Sequence, residues 1–178
     1  MSRSSDEECM RRLSEGDPGG LGPLHRRYGG PLGSLLLRVE PTLAPEQAEE
    51  LVQESFITLF QTAARYRELG TLKSWIFRIG LNKARSWRRR TLLRRLLGRQ
   101  QPRLSAGLGA ESSGPDQQAE ARLALSRCLQ GLSGRQREVL VLRVVEGLTQ
   151  REVAELLGIT ENAVATRLHR ARSNLGEL

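Results

Sequence analysis

The sequence predicts an all-α protein: two small helical domains joined by a flexible linker, the second a helix-turn-helix domain. Three observations predict it. Apolar residues recur at helical spacing in both halves of the 178-residue chain. All seven aromatic residues (Tyr28, Phe56, Phe60, Tyr66, Trp75, Phe77 and Trp87) fall in the first 87 positions, a sorting that one shared core would rarely produce. Between the halves, GRQQPRLSAGLGAESSGPDQQ (Gly98 to Gln118) is rich in Gly, Ser, Gln and Pro, and cannot bury enough apolar area to offset its ordering entropy. The expected boundaries are therefore 5–97, a linker over 98–118, and 119–178.

The elements follow in order. Asp6 to Glu15 is a short polar helix stopped by Gly16-Asp17-Pro18. Leu21 to Val39 carries Leu24, Tyr28, Leu32, Leu35 and Leu36 at helical spacing. Its glycines and prolines disfavour a continuous helix, and a kink is expected near Pro31. Ala44 to Tyr66 is the clearest helix of this half. Pro45 suits its first turn, and Glu46, Glu49 and Glu50 suit the positive end of its dipole. Leu51, Val52, Phe56, Leu59 and Ala63 make one face; Glu46, Glu50 and Glu54 make the opposite one, with Ile57 set among them. An apolar residue inside an acidic face tilts that surface toward a partner.

After a loop from Arg67 to Thr71, a last helix runs from Leu72 to about Leu97. Its inner face is Leu72, Trp75, Ile76, Ile79 and the stem of Lys83; its polar side shows Asn82, Arg85, Ser86, Arg88 and Arg89. Trp75 and Phe77 read as core, and Trp87 as the more exposed aromatic. In the second half, Gln117 to Gly131 is a helix carrying Ala121, Leu125, Cys128 and Leu129 inward. Ser133 then caps a helix that runs to Val145 and is ended by Gly147.

Charge narrows the function. The net charge is +8, yet Arg78 to Arg103 alone holds ten basic residues and no acid, so the remainder of the chain is slightly acidic. Such a run repels itself unless a polyanion relieves it, and DNA or RNA is the first candidate. Two cysteines with no C-x-x-C spacing and two histidines exclude a disulfide framework and argue against a zinc or histidine centre. No catalytic residue, metal ligand or cofactor is expected. The polar, acidic start has no signal-peptide core, and no apolar run reaches a membrane-spanning length, so a cytoplasmic location is expected.

The strongest local signal is TQREVAELLGITENAVATRLHRARSNL (Thr149 to Leu175). Thr149 and Glu152 form a T-x-x-E capping box, and Gly158 supplies the positive φ that ends the first helix. Ile159 plugs the turn, and Thr160 caps the next helix. That helix buries Val164, Leu168, Ala171 and Leu175 and shows Asn162, Ala165, Thr166, His169, Arg170 and Ser173, with Arg167 and Arg172 flanking. This is a helix-turn-helix whose second helix enters the major groove. Arg167 and Arg170 can fork onto a guanine edge or hold phosphates, and Thr166 can bond a base or touch a thymine methyl. From Thr149 on, four Arg balance four Glu, so binding must depend on that one face and be weak for the module alone.

Three blocks together resemble the bacterial RNA polymerase sigma factors of the sigma-70 family, in particular the two-domain extracytoplasmic-function (ECF) group. AEELVQESFITLF (Ala48 to Phe60) is similar to the family's helix that docks on the polymerase clamp; GTLKSWIFRIGLNKARSWRRR (Gly70 to Arg90) to its promoter-melting and minus-10-reading segment; and Leu132 to Leu175 to its minus-35-reading domain. The resemblance implies a sigma factor that binds core RNA polymerase and directs it to specific promoters. It implies core docking by Glu50, Leu51, Gln53, Glu54 and Ile57. It implies minus-10 contacts by Lys73, Arg78, Asn82, Lys83, Arg85, Ser86, Arg88 and Arg89, and minus-35 contacts by Gln150, Asn162, Thr166, Arg167, His169 and Arg170. The loop from Arg65 to Thr71 would pocket a flipped minus-10 base. The implied partners are core RNA polymerase, promoter DNA and an anti-sigma factor. Two departures stand out: Ser86 replaces the family's usual Asp and Arg88 a usual Leu, which leaves the minus-10 preference open.

Two other readings meet less support. A stand-alone helix-turn-helix transcriptional regulator would need a ligand pocket or a phosphoacceptor Asp at a strand end, and the first half has no convincing βα alternation. An enzyme acting on nucleic acid would need a carboxylate or metal constellation, and no P-loop, G-x-S-x-G or H-x-E with C-x-x-C occurs.

Overall fold

The computed structural model describes residues 3–66, 71–97, 129 and 131–176. Among these there is no strand. The helices are α1 (Arg3–Ser14), α2 (Leu21–Val39), α3 (Pro45–Thr62), α4 (Leu72–Leu96), α5 (Gly134–Leu140), α6 (Gln150–Leu157) and α7 (Glu161–Gly176). Short 3-10 turns at Pro18–Gly20 and Ala63–Arg65 follow α1 and α3. The described residues fall into two compact units. One comprises α1, α2 as far as Leu36, α3 and α4; the other comprises residues 37–45 and the described residues from 129 onward. The expected linker lies outside the described residues, as does the expected helix from Gln117, apart from Leu129 and Gly131.

In the first unit, α1 is closed by Gly16 at φ +85, after which Asp17 caps the 3-10 turn by accepting from the Gly19 amide at 2.8 Å. Arg12 donates to Asp17 at 2.7 Å and, with that amide, holds its carboxyl below the usual range. A Cβ on Gly20 would collide with the Cys9 carbonyl, so only glycine lets this turn lie against α1. Asp6 ties α1 to α2: it accepts from the Tyr28 hydroxyl at 2.5 Å and pairs with Arg27. Burial and then the Asp6 carboxylate push the Tyr28 hydroxyl up to about 12.

α2 is one helix from Leu21 to Val39 with Pro31 inside it, despite a composition that disfavours helix. Burial explains the outcome. Leu24, Leu32, Leu35 and Leu36 are at most 1% exposed. Fully burying each such side chain is worth about 1.5–3 kcal/mol, against roughly 1 kcal/mol lost per helical glycine. Leu32 also fills the space above Gly80 of α4, where an added Cβ would stand 2.5 Å from a Leu32 methyl. Phe56, Leu59, Ile76, Phe77, Leu81 and Ala84 complete this core. Trp75 is half-buried against Tyr66, ring centroids 4.8 Å apart, while Phe77 is fully buried.

In the second unit, Ser133 caps α5 through a complete capping box with Gln136. The helix expected to reach Val145 is α-helical only to Leu140 and widens into a π turn over Val141–Val145, where the Glu146 amide reaches back to the Val141 carbonyl at 3.0 Å. Gly147 at φ +69 then ends it. Arg137 is buried, and its guanidinium donates to the carbonyls of Leu129 (2.6 Å), Leu132 (2.8 Å) and Val39 (3.1 Å). Each fork nitrogen thus has an acceptor, the condition under which a buried guanidinium is tolerated. No helix among the described residues is long and apolar enough to cross a membrane.

Candidate nucleic-acid interface and the acidic helix face

The helix-turn-helix is built by local chemistry. The Thr149 hydroxyl accepts from the Glu152 amide at 3.2 Å, and the Glu152 carboxylate accepts from the Thr149 amide at 2.7 Å. The Thr149 amide, and then the Thr149 hydroxyl donating to the same carboxylate at 2.8 Å, hold the Glu152 carboxyl below its usual range. Gly158 is left-handed (φ 66, ψ 42), and the Ile159 amide bonds back to the Ala154 carbonyl at 3.0 Å, closing α6. Thr160 caps α7 by accepting from the Ala163 amide at 3.2 Å. Beneath α7, Val164 and Ala171 are fully buried, and Leu168 and Leu175 partly so.

The outer side of α7 matches the expectation residue by residue. Asn162, Ala165, Thr166, His169, Arg170 and Ser173 are all exposed, and Arg167 is half-buried at the edge. The Thr166 hydroxyl donates to the Asn162 carbonyl at 2.8 Å and keeps its lone pairs free to accept from a base. Gln150 does something the sequence did not indicate: its side-chain amide donates to the Glu161 carbonyl at 3.2 Å, joining the start of α6 to the start of α7. It therefore ties the two helix starts together.

On α4, Thr71 accepts from the Ser74 amide at 3.2 Å and starts the helix. The expected cationic residues separate into two groups. Arg78, Asn82, Arg85 and Arg89, spaced four, three and four, share a stripe with Ser86 beside it. Within it Arg85 donates to Asn82 at 3.4 Å, and Arg89 to Ser86 at 3.1 Å. Arg88 lies to the side of this stripe, half-buried. Lys73 and Lys83 lie elsewhere. The Lys73 ammonium stands 5.0 Å over the Phe77 ring, and Lys83 pairs with Glu54 of α3 at 3.5 Å. Trp87 is half-buried. The loop expected to pocket a base lies outside the described residues between Arg67 and Gly70.

α3 presents the acidic face. Glu50 and Gln53 are exposed, Glu54 is partly so, and Ile57 is 56% exposed. Leu51 does not belong to that surface: it is 3% exposed and supports it from beneath. Ser55 and Thr58 spend their hydroxyls on the carbonyls one turn back, Leu51 at 2.6 Å and Glu54 at 3.0 Å. Sequence reasoning missed the wall that α2 adds. Leu21, His25 and Arg26 face Gln53, Phe56 and Ile57 across an open groove of about 400 Å³, and the His25 ring meets Phe56 edge-on at 4.9 Å. The signal available was the spacing of Leu21 and His25, one turn apart on α2.

A cationic helix stripe, an acidic helix face with an apolar centre, and a helix-turn-helix together define a DNA-binding protein that also engages a protein partner. The comparisons make this specific. Residues 24–95 match the model of Sigma-70 region 2, and residues 122–175 that of Sigma-70, region 4. The chain is 32% identical to RNA polymerase sigma factor NccH of Alcaligenes xylosoxydans xylosoxydans, an alignment that covers 98% of this chain and 95% of the relative. It is 26% identical to the ECF RNA polymerase sigma-E factor of Salmonella typhimurium, over 94% and 91%. In fold it is similar to the sigma factor RpoE solved with the anti-sigma factor NepR from Bartonella quintana, with TM-score 0.67 and 21% identity over 88% and 94%. The chain belongs to the sigma-70 family of RNA polymerase sigma factors, in the ECF group, whose members direct the polymerase to promoters.

Proposed function

We propose that the three surfaces divide the work of promoter selection. The α3 face of Glu50, Gln53, Glu54 and Ile57 docks core RNA polymerase, with Leu51 fixing the helix from below. The α4 stripe of Arg78, Asn82, Arg85, Ser86 and Arg89, with Arg88 beside it, holds the minus-10 strand. Lys73 stands at the start of the same helix, and Lys83 is taken up below. The exposed side of α7 reads minus-35, with Arg170 and Thr166 on base edges, Arg167, His169 and Asn162 on bases or phosphates, and Gln150 positioning the helix. Residues 5–97 thus act as the polymerase-docking and minus-10 domain, 98–118 as the connecting linker, and 119–178 as the minus-35 domain.

The observation that carries this reading is Ile57, a large apolar side chain more than half exposed at the centre of an acidic face on the same unit as the cationic stripe. DNA does not require such a face, whereas a basic protein surface with an apolar contact at its centre does. Catalysis resides in the polymerase, and this chain supplies binding energy and selectivity in the cytoplasm. The RpoE relative, solved with an anti-sigma factor, supports regulation by an inhibitor of that class.

Substituting Glu54→Lys tests the docking assignment. Copurification with core polymerase should fall while the circular dichroism of the free protein stays unchanged and its melting, with the Lys83 pair lost, drops by only a few degrees. Undiminished copurification would overturn the assignment.

A further inference from the structure

The minus-10 and docking assignments meet at one pair of atoms. Lys83 of α4 turns away from the arginine stripe, and its ammonium lies 3.5 Å from a Glu54 carboxylate oxygen on α3. Glu54 is on the acidic face with the exposed Ile57, and Lys83 is the cation of α4 that pairs with that face. Both side chains are partly exposed, at 46% and 32%, so the pair is within reach of a partner on either side. An ammonium held by a carboxylate is a poorer phosphate ligand than a free one, and a carboxylate taken by a partner's cation no longer holds the ammonium.

We propose that the Glu54–Lys83 ion pair couples polymerase docking to capture of the melted strand. In the free protein Glu54 keeps Lys83 from the DNA. When a basic group of the polymerase engages Glu54, the Lys83 ammonium is freed to take a phosphate of the strand that α4 holds. The coupling is positive and reciprocal, because each ligand removes a group that the other must otherwise displace. Its size is bounded by the worth of a partly exposed ion pair, which corresponds to no more than about a five-fold change in affinity. The inference rests on the docking role of Glu54.

The experiment uses the full chain, with and without saturating core polymerase, and a fluorescent single-stranded DNA oligonucleotide at several salt concentrations. In the free protein, Glu54→Gln should tighten binding about two- to five-fold and steepen the dependence of log affinity on log salt by about 0.7, the value of one added phosphate contact on a single strand. Glu50→Gln removes the same charge one turn away and should do less. Lys83→Gln should cost little in the free protein, abolish the gain from Glu54→Gln, and cost about two- to five-fold in the holoenzyme. An equal gain from Glu54→Gln with and without Lys83, or an equal cost of Lys83→Gln in free protein and holoenzyme, would overturn the coupling. Failure of the docking role itself shows separately, as undiminished polymerase copurification by Glu54→Lys.

Discussion

One substitution, glycine to alanine, should change stability in opposite directions at two positions. Gly33 lies inside α2 with ordinary helical geometry, and an added Cβ would meet a Val52 methyl at 3.7 Å, a normal van der Waals contact. Alanine there removes the helix cost of glycine, about 0.8–1 kcal/mol, without a clash. Gly158 ends α6 at φ +66, where an added Cβ meets nothing within 4 Å. The cost there is torsional alone, roughly 1–2 kcal/mol for a non-glycine residue in the left-handed region, offset by about 0.4–1 kcal/mol from the stiffer unfolded chain. The net loss is therefore at most about 1.6 kcal/mol and centred on about 0.8 kcal/mol, and Gly158→Asn, which tolerates that geometry, should lose less. For units of this size 1 kcal/mol moves the melting midpoint by about 4–8 °C. Urea and thermal unfolding of the full chain, with hydrogen exchange to assign each change to α2 or to α6, reads both effects. A gain in stability from Gly158→Ala would refute the left-handed turn, and a loss from Gly33→Ala would refute the packing of α2 on α3.

Further predictions follow from other sites. Arg137→Ala leaves the carbonyls of Leu129 and Leu132 without their charged donor, and should destabilise the second unit by about 2–4 kcal/mol in denaturant titration. The Glu152 carboxyl, depressed by the Thr149 amide and hydroxyl, contributes stability that is present above its unfolded-state value and lost as pH falls through the lower folded value. Protection of the α6 amides, taken relative to their intrinsic exchange rates, should therefore fall in mild acid. Glu152→Gln, which keeps a capping-box acceptor, should flatten that dependence. Arg170→Ala should cost about 1–3 kcal/mol on specific minus-35 sequences in competition binding, and a uniform loss on all sequences would make Arg170 a phosphate contact.

How much was legible depended on whether the cause was local. The capping box of Thr149 and Glu152, the left-handed Gly158 and the exposed side of α7 were all readable, because each rests on residues within one or two turns. α2 was harder: glycine and proline at its centre argue against helix by propensity, and only burial of four leucines against other helices overrides them. Leu51 illustrates the limit at a surface. It adjoins Glu50 in sequence, yet a rotation of one residue carries it from the face into the core. The Lys83–Glu54 pair, the groove walled by His25 and the Val39 carbonyl on Arg137 join residues far apart in the chain, so spacing carried no trace of them. The widened turn at Val141–Val145 was equally hidden, since its valines fit an α-helical pattern as well.

Run-off transcription with purified core RNA polymerase, this protein and a pool of promoter fragments is the decisive measurement. Discrete transcripts that require the protein are expected, with aligned upstream sequences that share two elements, and they should disappear with Glu54→Lys. An absence of protein-dependent transcripts, together with sequence-specific DNA binding by the chain without polymerase, would contradict that expectation.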